Sequence, residues 1–517
     1  MTAVPAAADG RRPGSAAIAL MVAIACLVPL AVFGNRAALA AVVGGGLLGA
    51  VRLGVRHPRL CWHLAVAGLP VTVAVAIPTT NATISVPLEI LAAVLAPVLL
   101  AAVIRDPLKV SRLIGHPVTL AISFQLAWMA AATAFSADPV VSVKALAVRF
   151  VYVMVFYLGG FLVLDRALGG RAGDPLATAT TAGLSLLVPA TVWALANHLP
   201  SGFSRRDSYE IAQPFFSNHT EYATVLAVWL ILAAGLRSNR PDRRRRAISL
   251  IMALLFAGVL VAGARSAWLA LLAALAVVVA LRFRPDPRRV VAIAAVTGLL
   301  LVGSIFGAAV VRDGPSLPDD PTVGDRIADR SAPDADLLDE SFRERLTRWR
   351  SAARMLRDRP LFGFGPATFE STYGPYQQPR QLTHVSTYAG DRGDAHSELM
   401  TAAAEQGLGG LAALVAVIVL VFGSGVRAAT DAATTRDRRW ATAWTAAVAA
   451  LVASSCFNSL LELDKTAPLF WLAAAVVVWL DHESSAAAAT ANRCSDQDQR
   501  SANSGSGQHP APDHAGC

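Results

Sequence analysis

Charged residues are scarce in this chain of 517 residues. They make up 16% of the sequence, whereas hydrophobic residues make up 55%. A soluble protein carries about 25% charged residues, so a chain this apolar would expose too much hydrophobic surface to water. The composition therefore predicts a membrane protein. The net charge of +9 arises from arginine clusters between apolar runs, which is the pattern of orientation-setting loops rather than of nucleic-acid binding.

Cysteine and metal-ligand patterns are scarce as well. The 5 cysteines are scattered, and none lies in the long polar segment 312–404, so neither a disulfide framework nor a cysteine metal site is predicted there. The Asp-x-Asp pair of this segment, Asp334 and Asp336, resembles a turn. The first apolar run follows Arg11 and Arg12 and lacks a clear small-residue cleavage site. We therefore interpret it as a retained helix rather than a signal peptide.

Long apolar runs are what the sequence has in abundance. A transmembrane helix needs about 20 apolar residues, and about fourteen runs approach this length. They begin near Ala16, Ala37, Leu60, Leu88, Val118, Ala145, Ala177, Ala223, Ile248, Ala267, Val290, Gly407, Ala441 and Leu469. The sequence therefore predicts an all-α, polytopic membrane protein with about 12–14 transmembrane helices and one large, partly helical extracytoplasmic loop.

Loops rich in basic residues alternate along the chain with loops that carry few of them. One set of loops is rich in arginine, as at Arg243–Arg246, whereas the other set, such as the segment Asn197–Tyr222, carries few basic residues. Because positive residues stay on the cytoplasmic side, the first set and both termini are predicted to be cytoplasmic. The tail is too poor in apolar residues to fold. The predicted organisation is a transmembrane bundle (1–311), an extracytoplasmic loop (312–404), C-terminal transmembrane helices (405–481) and a disordered cytoplasmic tail (482–517).

The polar segment 312–404 is predicted to contain a helix. Ser341 and Glu344 fit a capping box with Ser341 as the N-cap, and Pro360 ends the helical pattern. Between them, apolar residues recur at helical spacing, at Phe342, Leu346, Trp349, Ala353 and Leu356. This stripe predicts that one face of the helix docks on the membrane body.

The arginines of this helix differ in their predicted direction. Arg343, Arg348 and Arg354 are predicted to point away from the apolar stripe, whereas Arg345 falls at its edge, one turn before Trp349. A charge beside a docked face needs a partner or a function. Arg345 therefore either snorkels or forms a salt bridge, or it binds an anion.

A single histidine stands out near the end of the polar segment. Asp394 is placed to cap a helix, which would put His396 in the first turn, where the helix dipole disfavours imidazolium. A neutral imidazole can accept a proton near pH 7. A lone histidine is more often structural than catalytic, so both interpretations stay open at this point. Glu398 and Glu405 share the predicted helix, and Glu405 is also placed to anchor its start at the membrane.

Further basic residues are predicted at the same membrane surface. Arg265 lies in a short turn between two apolar runs, where a charge either snorkels or has a function. Lys144 and Arg149 lie at the outer end of the sixth run, and His219 lies in an outer loop. Together these residues predict a basic pocket at the outer interface, which suits a phosphorylated lipid.

Five short motifs in this order are similar to the signature region of the O-antigen ligase and polymerase family of bacterial membrane glycosyltransferases. Ser397 stands where many relatives have Asn. The motifs are Gly263–Trp268, Arg345-x-x-x-Trp349, Pro360–Gly365, Ala395–Leu399 and Glu405–Gly409.

The resemblance implies transfer of a glycan from undecaprenyl diphosphate to a glycan, lipid or protein acceptor, by ligation or polymerisation. The reaction takes place at the outer face of the cytoplasmic membrane and needs no metal or other cofactor. Arg265 and Arg345 are then expected to bind the donor diphosphate, and His396 to take the proton of the acceptor hydroxyl. Residues expected to support the site are Trp349, Arg348, Glu398, His219 and Arg149.

A multi-pass lipid or polysaccharide transporter (a flippase or exporter) is the alternative, because many spans suit such a protein. A transporter is expected to carry charges near the bilayer midplane and to consist of two related halves. The sequence shows neither feature, since its arginine and histidine candidates all fall at one membrane surface. The glycosyltransferase is therefore the preferred interpretation.

Overall fold

Most of the described chain is helical. The computed structural model describes residues 49–76, 83–168, 173–200, 202–203, 212–216, 218–283, 286–290, 292, 296, 337–378 and 393–504. We number the longer helices α1 (Pro58–Gly68), α2 (Leu88–Arg105), α3 (Pro117–Ala134), α4 (Pro139–Leu164), α5 (Pro175–His198), α6 (His219–Ser238), α7 (Asp242–Ala262), α8 (Arg265–Arg282), α9 (Leu337–Asp358), α10 (Glu398–Thr430), α11 (Thr435–Ser455) and α12 (Thr466–Ser504).

Shorter elements connect these helices. Strands β1 (Val73–Ala76) and β2 (Thr83–Val86) pair antiparallel, and the sequence did not predict this hairpin. Helix α4 contains a π-helical stretch, Val153–Leu158. One-turn helices are Leu69–Val71, Pro107–Val110, Ser111–Ile114, Phe369–Thr372, Gly374–Tyr376 and Leu460–Glu462.

Among the described helices, 8 are long and apolar enough to cross a membrane. These are α2 to α8 and α10, and they confirm the predicted all-α, polytopic membrane protein. The predicted number of spans stays a prediction, because the apolar runs near Ala16 and Ala37 lie outside the described residues. Helices α11 and α12 coincide with the last two predicted runs.

Helix α11 is enclosed by other helices rather than by lipid, and small residues allow this. A Cβ atom on Gly235 of α6 would lie 2.6 Å from the Cβ of Ala443, and one on Gly425 of α10 would lie 2.4 Å from the Thr445 hydroxyl oxygen. Close backbone approach of this kind stabilises helix pairs in membranes. The large side chains Trp440 and Trp444 of α11 are completely buried.

Hydrogen bonds at the start of α11 fix the direction of its neighbours. Arg438 donates to the carbonyl of Leu281 at the end of α8 (2.9 Å), and Arg439 donates to that of Ser238 at the end of α6 (2.8 Å). Helices α6 and α8 therefore run antiparallel to α11, and both begin where α11 ends. We call that end, which carries His219 and Arg265, the site end.

The opposite end of the bundle carries arginines from several loops that were predicted to be cytoplasmic. They form ion pairs, for example between Arg112 and Asp165 (3.0 Å) and between Arg427 and Asp481 (2.7 Å). We call it the arginine end. The separation of the two sets of loops is the arrangement that the charge alternation predicted, and the side of the membrane that each end faces stays a prediction.

Helix α9 begins five residues earlier than predicted. It starts at Leu337, so Ser341 lies within the helix and is not its N-cap. The Glu344 carboxylate accepts a hydrogen bond from Arg348 Nε (2.8 Å) and does not complete a capping box. The predicted end is confirmed, because the helix stops at Asp358, shortly before Pro360.

The end of the chain also differs from its prediction. The segment 482–517 was predicted to be disordered, but α12 continues to Ser504. Its extension contains the alanine run Ala486–Ala489, and alanine has the highest helix propensity. Residues 505–517 lie outside the described part of the chain.

Candidate active site

The backbone before α10 turns sharply at His396. Ser397 is the N-cap of α10 and has an extended conformation (φ −165°, ψ 120°). His396 has a φ of +49°, in the left-handed region that residues other than glycine rarely adopt. The predicted place of His396 in the first helical turn was therefore wrong. Such backbone outliers cluster at functional sites, which makes this turn a candidate for one.

Asp394 holds the His396 turn from two directions. One of its carboxylate oxygens, Oδ1, accepts a hydrogen bond from the His396 backbone N–H (2.7 Å) and lies 3.1 Å from the ring atom Nδ1. Burial raises the pKa of Asp394, but hydrogen bonds and charge from His396, together with the charge of Arg348, outweigh burial and hold that pKa below its usual range. The sequence predicted only a helix-capping role for Asp394.

This pairing sets the chemistry of the imidazole. An ionised carboxylate only accepts hydrogen bonds, so Asp394 favours the tautomer of His396 with a proton on Nδ1. The lone pair of a neutral ring is then on Nε2. The side chain of His396 is 39% exposed, so a small molecule can reach the ring. A histidine oriented by a carboxylate is the arrangement used for general base catalysis.

Arg348 is buried, contrary to its prediction. Only 5% of it is exposed, because its Nε pairs with Glu344 and its Nη1 donates to the backbone carbonyl of Asp394 (2.7 Å). Its guanidinium also lies over the Tyr373 ring, 5.5 Å from the centroid. Burial of a paired, hydrogen-bonded charge is tolerated where an isolated one is not. Arg348 therefore fastens α9 to the His396 turn.

Arg345 lies one turn before Arg348 and is half-buried, as the edge position predicted. Its Nε donates to the backbone carbonyl of Phe457, just after α11 (3.3 Å). Arg345 is also close enough to His219, the first residue of α6, to interact with it electrostatically. The structure thus brings together two of the predicted residues from distant parts of the sequence.

Trp349 anchors the docked face of α9. It is 3% exposed, and its ring lies 6.2 Å from that of Phe457. Ala353 is also buried, which confirms the middle of the predicted stripe. Phe342 is 50% exposed, so the start of the stripe does not dock.

Arg265 is the first residue of α8 and is exposed. Gly263, with a φ of +62°, ends α7 immediately before it, so the predicted short turn is confirmed. Arg265 forms no hydrogen bond or ion pair with any described residue. It lies at the site end, but the structure does not bring it into contact with His396 or Arg345.

Glu398 and Arg149 connect the start of α10 to α4. Arg149 Nη2 lies 3.9 Å from Glu398 Oε1, and the Glu398 carboxylate also accepts a hydrogen bond from the Leu461 backbone N–H (2.9 Å). Glu398 is 4% exposed. Its carboxylate therefore joins the start of α10 to α4 and to the segment after α11.

A cavity of about 640 Å³, lined by both charged and apolar residues, lies beside this connection. Its charged lining residues are Glu89, Lys144, Arg149, Glu405, Glu462, Asp464 and Lys465. Burial, followed by the charges of Glu405 and Glu398, raises the pKa of Glu462 well above its usual range. The sequence predicted that Lys144 and Arg149 add positive charge to the outer surface. In the structure both residues line a cavity together with four carboxylates.

Two of the predicted motifs form one structural unit. The turn Pro360–Gly365 packs against the segment Ala404–Leu408, where α10 is interrupted. Gly365 N–H donates to the Glu405 carbonyl (2.8 Å), and Leu408 N–H donates to the Pro360 carbonyl (2.8 Å). The interruption is at Gly407 (φ +66°, ψ −166°), where a Cβ atom would lie 2.2 Å from the Leu361 carbonyl oxygen. The sequence did not predict this break.

The Glu405 side chain also stabilises the unit formed by the turn Pro360–Gly365 and the segment Ala404–Leu408. Its carboxylate accepts hydrogen bonds from the backbone N–H groups of Ala367 (2.7 Å) and Phe369 (2.9 Å). Gly363 lets the turn approach closely, since a Cβ atom there would lie 2.4 Å from the Glu405 carbonyl carbon. Glu405 therefore anchors the turn after α9 rather than the start of the span.

This unit, α9 and the His396 turn lie in one continuous part of the sequence. Residues 250–415 match the O-antigen ligase family. The match covers about a third of the chain, from within α7 into α10, and includes all five motifs of the predicted resemblance. That resemblance is confirmed.

The O-antigen ligase match supports glycan transfer as the general activity, with a lipid-linked glycan and an acceptor as partners in general terms. No curated protein matches the chain. The described ranges contain no group of three His, Cys, Asp or Glu side chains that could hold a metal ion. Asp334 and Asp336 lie outside those ranges, and metal independence stays a prediction.

Proposed function

We propose that the chain transfers a glycan from an undecaprenyl-diphosphate-linked donor to an acceptor hydroxyl at the outer face of the cytoplasmic membrane. The observation that carries the proposal is the Asp394–His396 pair. It lies at the site end, next to the helix that carries Arg345, and within the segment that matches the O-antigen ligases.

His396 acts as the general base. The acceptor oxygen attacks the anomeric carbon of the donor sugar while the bond from that carbon to the diphosphate oxygen breaks. The hydroxyl proton moves to Nε2 of His396, and the ionised Asp394 stabilises the imidazolium that forms. General base assistance of this kind contributes about 10²- to 10⁴-fold to the rate.

Arginines neutralise the departing diphosphate. Its negative charge grows as the glycosidic bond breaks, and arginine donates paired hydrogen bonds to phosphate oxygens. Arg265 is suited to this role because it is exposed at the site end and has no partner among the described residues. Arg345 is suited by its place on α9, one turn from the residue that holds the His396 turn.

The transfer takes place in a single displacement. A mechanism with a covalent glycosyl intermediate needs a second carboxylate as nucleophile. The two nearest candidates on α10, Glu398 and Glu405, are buried and accept backbone hydrogen bonds. The configuration at the anomeric carbon is therefore inverted in the product.

The cellular arrangement follows from the loop charges. We place segment 312–404 outside the cell membrane and both termini in the cytoplasm. A cysteine introduced at the exposed Glu370 should react with a membrane-impermeant thiol reagent in intact cells, whereas Cys494 should react only after lysis. The reverse pattern contradicts the proposed orientation.

The test of the activity is a reconstituted reaction. Purified protein is mixed with an undecaprenyl-diphosphate-linked glycan and an acceptor glycan, and the release of undecaprenyl diphosphate is followed. Release should depend on the acceptor and should be unchanged by a chelator. His396→Gln should slow it about 10²- to 10⁴-fold, the range for loss of general base assistance, whereas the matched variant His57→Gln, just before α1, should be normal. Donor that stays intact with every candidate acceptor contradicts the proposal.

A further inference from the structure

An apolar crevice opens between α6, α7, α8 and α11 near the arginine end. Its volume is about 900 Å³, at the upper end of the range for small-molecule sites. Most of its length is lined by aliphatic and aromatic side chains, including those of Leu230, Ile231, Met252, Phe256, Leu275 and Val278. It lies at the end of α11 opposite to Arg345 and is separate from the candidate active site.

Small residues create this crevice. Ala234, Gly235, Ala253, Ala274 and Ala443 line it where larger side chains would fill the space between the helices. Gly235 and Ala443 bring α6 and α11 together at its base. Phe256 (40% exposed) and Leu275 (57% exposed) form the walls of the opening. The result is a groove with an apolar floor that is open towards the lipid.

Three arginines line one end of the groove: Arg282, Arg438 and Arg439. Arg438 and Arg439 each donate one hydrogen bond to a backbone carbonyl, and Arg282 forms none with the described residues. A guanidinium has five N–H donors. Neither carbonyl contact neutralises a charge, so this end of the groove keeps three positive charges and several unused donors.

We propose that this groove binds a phospholipid with an anionic head group. An acyl chain lies along the apolar floor, and the phosphate accepts hydrogen bonds from the arginines. Basic pockets between helices at the cytoplasmic surface bind anionic head groups in this way. The site is in the membrane leaflet at the arginine end, whereas the proposed reaction takes place at the other end.

Charge complementarity favours a phospholipid over the polyprenyl tail of a glycan donor. The charged group of the donor belongs at the site end, so its tail would place an uncharged hydrocarbon end against three arginines. A phospholipid of the opposite leaflet places its charge there directly. Only this choice between the two lipids rests on the proposed glycan transfer, and the groove and its arginines are independent of it.

Native mass spectrometry of the purified full-length protein tests this proposal. The protein is mixed with phosphatidylglycerol or phosphatidylethanolamine of the same acyl composition. We expect one phosphatidylglycerol to be retained in preference to phosphatidylethanolamine. Arg282→Gln should weaken this retention roughly fivefold, the contribution of one arginine near an anionic surface. Ala253→Trp should block the groove and reduce retention of both lipids.

Arg243→Gln is the matched control, because Arg243 is also exposed at the arginine end but does not line the groove. It should retain phosphatidylglycerol like the wild type. Arg282 forms no internal bond, so its replacement should leave the fold intact, and a thermal melt checks this. Equal retention of both lipids, an equal effect of Arg243→Gln, or a polyprenyl lipid as the bound species would overturn the proposal.

Discussion

Ion-paired arginines at the arginine end contrast with an unpaired arginine at the site end. At the arginine end, Arg112, Arg427 and Arg436 pair with carboxylates at 3.0, 2.7 and 3.0 Å. At the site end, Arg265 is exposed without a partner in the described chain. An arginine that is already neutralised stabilises the fold, whereas one held without a counter-charge is available for an anionic ligand. The surroundings of an arginine therefore indicate its role better than its position in a loop.

Asp394→Asn is expected to have the largest effect. An amide in place of the carboxylate can donate to Nδ1, which moves the remaining ring proton to Nε2 and removes the lone pair that accepts the substrate proton. The rate of glycan transfer should fall about 10²- to 10⁴-fold, the range for loss of general base assistance, with donor binding retained. Asp242→Asn, at the arginine end, is the control. Transfer at the normal rate would show that Asp394 is only structural.

Replacing Arg265 or Arg345 should come next. Loss of one donor to a developing charge costs about 10²- to 10³-fold, so each Ala variant should lose transfer while the protein remains folded and inserted. Lys should rescue poorly, because an ammonium does not reproduce the paired geometry of a guanidinium. The transfer rate of each variant is compared with that of Arg243→Ala, the control at the arginine end. Near-normal rates in both Ala variants would remove these arginines from the site.

Gly407→Ala should destabilise the unit that supports the site. The new Cβ would meet the Leu361 carbonyl, and alanine does not readily adopt the positive φ of this residue. Backbone strain of this kind costs about 1–3 kcal/mol, so the melting temperature and the rate should both fall. Gly115→Ala is the control, because a Cβ there has no neighbour within 4 Å. Equal melting temperatures in the two variants would contradict the described break in α10.

Arg436→Gln should have the smallest effect. Arg436 forms an ion pair with Asp174, and its side chain is 53% exposed. Exposed ion pairs contribute about 0–1 kcal/mol to the free energy of unfolding. The melting temperature should change little and the transfer rate should not change. A large loss of activity would mean that the arginine end takes part in the reaction, and the contrast between the two ends would fail.

The spans were predictable because a helix in lipid must carry a long apolar run. Helices α6, α7 and α8 lie close to the runs predicted from Ala223, Ile248 and Ala267. The break in α10 at Gly407 was not predictable, since apolar residues continue on its far side. It exists because the Pro360–Gly365 turn supplies hydrogen bonds from a distant part of the chain.

The candidate site was predictable in its residues more than in its geometry. His396, Arg265 and Arg345 were found from their positions near the membrane surface and from the motifs. The burial of Arg348 was missed because the predicted apolar stripe did not include its partner Glu344. The role of Asp394 was missed because the start of α10 was placed too early.

The most direct test of the account is the pH dependence of a single turnover. A general base loses its function once it is protonated, so lowering the pH from about 8 to 5 should remove base assistance from the reaction. Asp394 stays ionised in this range because its pKa is lowered, so it adds no second step. We predict that the wild-type rate falls as the pH is lowered, while the small residual rate of His396→Gln does not change. A wild-type rate independent of pH, or the same fall in His396→Gln, would contradict His396 as the base.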